Sequence, residues 1–93
     1  MQQFEVKVIN EVGLHARPAA MFVKSAHRFP SLIGLRNLTG GSGWVDAKGL
    51  LGILTLGVEQ DHIIEVEVDG SDEVEAATSL RSLVESDFPV QGE

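Results

Sequence analysis

Phe4, Val6 and Val8 alternate with Glu5 and Lys7 at the start of the chain. Apolar residues at every second position define a strand with one buried and one wet face, so Phe4 to Ile9 is expected to be a half-buried strand. The alternation stops at Asn10, and Asn10 to Leu14 reads as a loop with Gly13 as its flexible point. From Ala16 to about Arg28 the period lengthens. Ala19, Phe22, Val23 and Ala26 fall at i, i+3, i+4 and i+7, the core-facing stripe of a helix. Arg17, Lys24 and Arg28 share the opposite face. Phe29-Pro30 ends the helix, because proline cannot continue it.

Leu32, Ile33 and Leu35, with Gly34 and Arg36, make Ser31 to Leu38 a second strand with imperfect alternation. Thr39-Gly40-Gly41-Ser42-Gly43 is a turn cluster. It lacks the Gly-Lys-Ser/Thr of a phosphate-binding P-loop and opens no strand-to-helix unit, so a hairpin is expected, with Trp44 to Ala47 as the returning strand. Lys48 to Leu56 is a short helix with little polar face. A small domain cannot enclose Leu50, Leu51, Ile53, Leu54 and Leu56 together, and an apolar patch left outside marks a contact surface. Gly49 and Gly52 each weaken this helix by about 1 kcal/mol relative to alanine, and Gly52 could permit close packing instead. Gly57 to Gln60 turns the chain into a strand from His62 to Asp69, with Ile64, Val66 and Val68 inside and Glu65, Glu67 and Asp69 outside. Lys7 is a potential partner for one of these glutamates across the sheet. Asp72-x-x-Glu75 has the form of a capping box, with Glu73 adding charge to the first turn. Ala76, Ala77, Leu80, Leu83 and Val84 form the buried stripe of a last helix.

The order β-α-β-β-α-β-α, with amphipathic strands and helices throughout, predicts an α+β fold. It is a two-layer, open-faced β-sandwich: a four-stranded antiparallel sheet with three helices on one face and water on the other. With 93 residues, the natural count is one domain over the whole chain. The formal charge of −7 makes nucleic acid an unsuitable partner. No apolar run approaches the ~20 residues that cross a bilayer, so no membrane insertion is expected. Met1-Gln2-Gln3-Phe4 carries no secretory signal, which points to the cytoplasm and sets aside the glycosylation sequon Asn37-Leu38-Thr39. The chain contains no Cys, which removes disulfides and thiolate metal sites. His15, His27 and His62 match no zinc spacing, and no metal site is assigned.

One stretch carries candidate chemistry. His15 stands between the first strand and the first helix, with Arg17 two residues on and Pro18 inside the first helical turn. The unpaired N–H groups of a first turn point outward and carry partial positive charge, which makes a helix start an anion site. A neutral imidazole placed there is a nucleophile suited to carrying a phosphoryl group. Taken alone, the spacing leaves a second reading open: a compact ligand-binding or allosteric module in which His15 is only a surface or capping residue. The basic face of the first helix is either a solvated surface or a steering surface for an acidic partner.

Gly13-Leu14-His15-Ala16-Arg17-Pro18-Ala19 resembles the active-site signature of the HPr family, the histidine-containing phosphocarrier proteins of the bacterial phosphotransferase system. Val45-Asp46-Ala47-Lys48-Gly49-Leu50-Leu51-Gly52-Ile53-Leu54-Thr55-Leu56-Gly57 is similar to the family's second signature, at the short middle helix. Length and element order fit as well. The resemblance implies that His15 is the phosphoacceptor, carrying phosphate on Nδ1, and that Arg17 helps neutralise it. The N–H groups of Ala16 and Arg17 would cradle the phosphate. Leu50, Leu51 and Leu54 would form an apolar partner patch, with Lys24, Arg28 and Lys48 as its basic rim. It further implies a monomeric carrier without cofactor. Enzyme I, the phosphoenolpyruvate-protein phosphotransferase, would charge it, and a sugar-specific enzyme IIA or a nitrogen-type regulatory relay would discharge it. One position departs from many relatives. Gly49 occupies the place of a regulatory serine and offers no hydroxyl.

Overall fold

The computed structural model describes residues 1–89. Its elements are β1 (Gln2–Lys7), α1 (Ala16–Ala26), β2 (Leu32–Asn37), β3 (Val45–Asp46), α2 (Leu50–Leu54), β4 (Ile63–Asp69) and α3 (Glu73–Glu85). The sheet has four strands in the order β1-β4-β2-β3, all neighbours antiparallel. The alternation seen in the sequence sets its two faces. Phe4 and Val6 from β1, Ile33 and Leu35 from β2, and Ile64, Val66 and Val68 from β4 point into the core. There they meet Ala19, Phe22 and Ala26 of α1, Ile53 of α2, and Ala76, Leu80, Leu83 and Val84 of α3. The expected α+β open-faced sandwich is the observed fold.

The solvent face of the sheet corrects one pairing. Lys7 stands opposite Ile63 and pairs with no glutamate among the described residues. Glu65 is instead held by Arg36, its register partner in β2. Arg36 reaches Glu65 Oε1 through Nε at 2.8 Å and Nη2 at 2.6 Å, and its guanidinium lies 4.7 Å from the Trp44 ring centre. Trp44 packs beside Gly34, where a Cβ would approach the Trp44 ring to 3.3 Å. The arginine is thus pinned from two sides, an arrangement the flexible Lys7 cannot match.

The capping box is also corrected. Asp72 is the N-cap of α3, but its side chain makes no cap bond; its Oδ1 accepts from the hydroxyl of the buried Ser31. Glu73 replaces it, accepting the Gly70 N–H at 3.1 Å. Several ends are shorter than expected. β1 stops at Lys7, although Val8 N–H still reaches His62 O at 2.9 Å. α1 closes at Ala26, and α2 spans only Leu50–Leu54. On α1, Pro18 joins the buried stripe while Val23 is half-buried. Gly52 packs α2 against β3: a Cβ there would stand 3.3 Å from Val45 Cβ.

Asn37 of the sequon is 1% exposed and ties three segments together. Its Nδ2 donates to Leu56 O and His62 Nδ1, each at 3.1 Å, and its Oδ1 accepts the Gly40 N–H at 3.0 Å. Removing this side chain leaves the buried Leu56 O and the Gly40 N–H without this partner and takes one of two bonds from His62 Nδ1. Asn37→Ala should cost about 2–4 kcal/mol, read as a lower urea midpoint at unchanged slope. An unchanged midpoint would mean that water replaces the whole network.

Candidate functional site

The loop between β1 and α1 is built from its own polar groups. Asn10 Oδ1 accepts the Val12 N–H at 3.0 Å and Asn10 O accepts the Gly13 N–H at 2.9 Å, an Asx-type turn. Leu14 is fully buried and its N–H donates to Val58 O at 3.0 Å. Gly13 lies at φ +67° directly against that segment; a Cβ would fall 2.0 Å from Val58 O. The close approach, rather than flexibility, is what demands glycine here.

His15 follows the buried Leu14 and precedes the buried Pro18, so it is carried between two anchors. It is the N-cap of α1, with extended backbone (φ −132°, ψ 167°), a half-exposed ring and no side-chain cap bond. Ala16 then adopts φ +51°, an uncommon conformation for a residue with a Cβ. The N–H groups of Ala16 and Arg17 have no acceptor among the described residues, and the first turn of α1 holds no acidic side chain. These unpaired donors and the positive end of the helix dipole thus lie at the residues next to His15, and a helix start of this kind favours an anion.

The end of α3 closes the site from the other side. Asp87 and Phe88 are both left-handed, at φ 60° and 52°, and Phe88 N–H returns to Leu83 O at 2.9 Å. The Phe88 ring is fully buried. Asp87 Oδ1 accepts from Asn10 Nδ2 at 2.9 Å, and Phe88 O accepts from Arg17 Nη1 at 2.8 Å. Arg17 Nη1 also touches Met21 Sδ at 2.7 Å. The Arg17 guanidinium is therefore parked on the α3 terminus. Neither Asp87 nor Phe88 is legible as a site residue in the sequence, since contacts this distant leave no local pattern.

The remaining expected residues fall in different settings. Lys24 and Arg28 are exposed on α1. Lys48 is half-buried, and its Nζ donates to Phe29 O at 2.7 Å, so its charge is tied to the end of α1. Leu50 and Leu51 are 41% and 80% exposed, whereas Leu54 packs partly against the core. The chain enters α2 beside His27, whose Nε2 meets Lys48 O at 2.9 Å, and leaves it toward Val58 beneath Leu14. α2 thus packs along α1, with its two exposed leucines in its first turn, and the chain that follows it reaches the His15 loop at Val58. His62 is held elsewhere, on Asn37 and the Glu59 N–H. Among the described residues no three metal-ligating side chains converge, and no helix is long and apolar enough to cross a membrane.

Comparison with known proteins places this geometry in a family. Residues 2–86 match the family model described as "PTS HPr component phosphorylation site". The multiphosphoryl transfer protein of Haemophilus influenzae is 45% identical over 71 residues, covering 76% of this chain; the match spans only 14% of that relative's length. The phosphocarrier protein HPr of Neisseria meningitidis is 33% identical over 88 residues, covering 95% of this chain and 96% of the relative. The crystal structure of HPr-C-His from Thermoanaerobacter tengcongensis superposes with a TM-score of 0.90 at 38% identity, covering 99% of this chain and 100% of that one. With the family model running across nearly all of its elements and the same sandwich found in solved relatives, the chain belongs to the HPr family of phosphocarrier proteins.

Proposed function

We propose that His15 is the phosphoacceptor of a carrier that relays phosphoryl groups from an enzyme I-type phosphotransferase to a sugar-specific enzyme IIA. The observation that supports this reading is the position of the half-exposed His15 as N-cap of α1, followed directly by two amides, of Ala16 and Arg17, that have no acceptor among the described residues. The lone pair of neutral His15, at Nδ1, attacks phosphorus in the donor's phosphohistidine. The new N–P bond forms as the donor's N–P bond breaks, and the donor imidazole leaves with the electron pair. The reverse geometry hands the group onward. Such a transfer needs alignment and charge stabilisation more than covalent help, which the helix start provides. Arg17 adds a cation once it swings from Phe88 O toward the phosphate.

The exposed Leu50 and Leu51, with Leu54 behind them, form the apolar centre of the docking surface, and Lys24 and Arg28 form a basic rim. A small patch of this kind suits brief encounters. Lys48 contributes to the rim mainly by holding the end of α1 in place. The carrier acts as a single domain in the cytoplasm and turns over no small substrate alone. Gly49 caps α2, so control by serine phosphorylation at that point is absent.

The deciding experiment mixes the chain with phosphoenolpyruvate and the upstream phosphotransferase and follows intact mass. One added phosphate, labile in acid and stable in base, is expected; no uptake overturns the reading. Leu51→Glu should weaken binding to the upstream phosphotransferase at least tenfold while changing stability by less than about 0.5 kcal/mol. Unfolding of this variant would place Leu51 in the core.

A further inference from the structure

A second concave surface lies between α1 and α3, a groove of about 490 Å³. Arg17, Lys24 and Arg28 line it from α1. Their spacings of seven and four residues bring them back to within about 20° of one line along the helix. Three of the chain's 7 basic residues therefore stand in one row, while no Asp or Glu among the described residues lines the groove. On a chain with 14 acidic residues this is a marked separation of charge.

The opposite wall supplies hydroxyls. Ser79 and Ser82 of α3, with Ser86 at its C-cap, stand across the groove from Ser25 of α1. Ser86 turns its hydroxyl back onto Ser82 O at 2.6 Å, whereas those of Ser25, Ser79 and Ser82 have no partner among the described residues. Met21 and Leu83 form a partly apolar floor. Cations at the rim suit a phosphate through charge-assisted hydrogen bonds, the hydroxyls suit an alcohol, and the floor suits a carbon skeleton. The size fits a small molecule. A protein partner is better served by α2, because the exposed leucines are there and not in this groove.

We propose that the groove binds a small phosphorylated polyol, with its phosphate between Lys24 and Arg28 and its hydroxyls on Ser25, Ser79 and Ser82. The inference does not rest on phosphoryl transfer by His15. A bound anion would neutralise two cations of the docking rim, so occupancy would also slow partner encounter.

The test is an amide NMR titration of the full chain with glucose 6-phosphate, glucose and inorganic phosphate in turn. Glucose 6-phosphate should shift the α1 amides around Lys24 to Arg28 and the α3 amides around Ser79 to Ser86, with saturation. Inorganic phosphate should bind at least about fivefold more weakly and glucose not measurably, since only the full ligand uses both walls. Lys24→Gln with Arg28→Gln should weaken binding by roughly tenfold or more, and Ser79→Ala with Ser82→Ala by about threefold or more. His15→Ala should bind as the parent does. Shifts confined to His15 to Arg17, equal binding of inorganic phosphate, full binding by the Lys24/Arg28 variant, or no saturable shift would each overturn the proposal.

Discussion

His15→Ala is expected to take up no phosphate at all when incubated with phosphoenolpyruvate and the upstream phosphotransferase, while folding as the parent does. The ring is half-exposed and makes no side-chain cap bond, so its removal should change stability by less than about 1 kcal/mol. The loss should be complete because neither other histidine can substitute. His27 caps the C-terminal end of α1, where the helix dipole and backbone carbonyls oppose an anion, and its Nε2 is engaged with Lys48 O at 2.9 Å. His62 Nδ1 accepts hydrogen bonds from Asn37 Nδ2 at 3.1 Å and from the Glu59 N–H at 3.2 Å. A phosphoryl group there would displace both donors. Intact mass before and after acid treatment reads the result. Persistent acid-labile phosphate on the variant would move the acceptor away from His15 and remove the role given to the α1 start.

Gly13→Ala should have the largest effect on stability, a loss of at least about 3–5 kcal/mol, enough to leave a small domain substantially unfolded. Two costs add. The left-handed φ of +67° disfavours any residue with a Cβ, by roughly 1–2 kcal/mol. The Cβ would also lie 2.0 Å from Val58 O and 2.7 Å from Glu59 Cα, both backbone atoms that no rotamer change can move. Backing away would break the Leu14 N–H bond to Val58 O and lift Leu14 out of the core. Circular dichroism in urea is sufficient to measure it. A loss below 1 kcal/mol would show that the loop stands further from Val58 than described.

Periodic features were readable in the sequence because a half-buried strand or helix must repeat its apolar residues at fixed intervals. The open-faced sandwich and the buried faces of β1, β4 and α3 follow from that requirement, as does the helix start beside His15. The errors arose where two residues far apart compete for one group. Asp72 looked like a cap, but Ser31 claims its carboxylate. Lys7 was a reasonable partner for a glutamate until Arg36, aligned with Glu65 and stacked on Trp44, took that role. The Asp87-Phe88 turn could not be anticipated at all, since its two left-handed residues carry no glycine and its contacts reach back more than seventy positions.

The order β1-β4-β2-β3 bears on how the protein comes into being. Among the described residues β1 pairs only with β4, far along the chain, with Gln2 opposite Val68. The loop bearing His15 is fastened by Val58, Gln60 and Asp87, all from the second half of the chain. Until the chain has been made as far as Asp87, the loop therefore lacks its fastenings, and the phosphate site proposed at His15 has no fixed shape. Pairings of such long sequence separation also make slow folders. A chain cut short before β4 is thus expected to take no phosphate from the proposed donor.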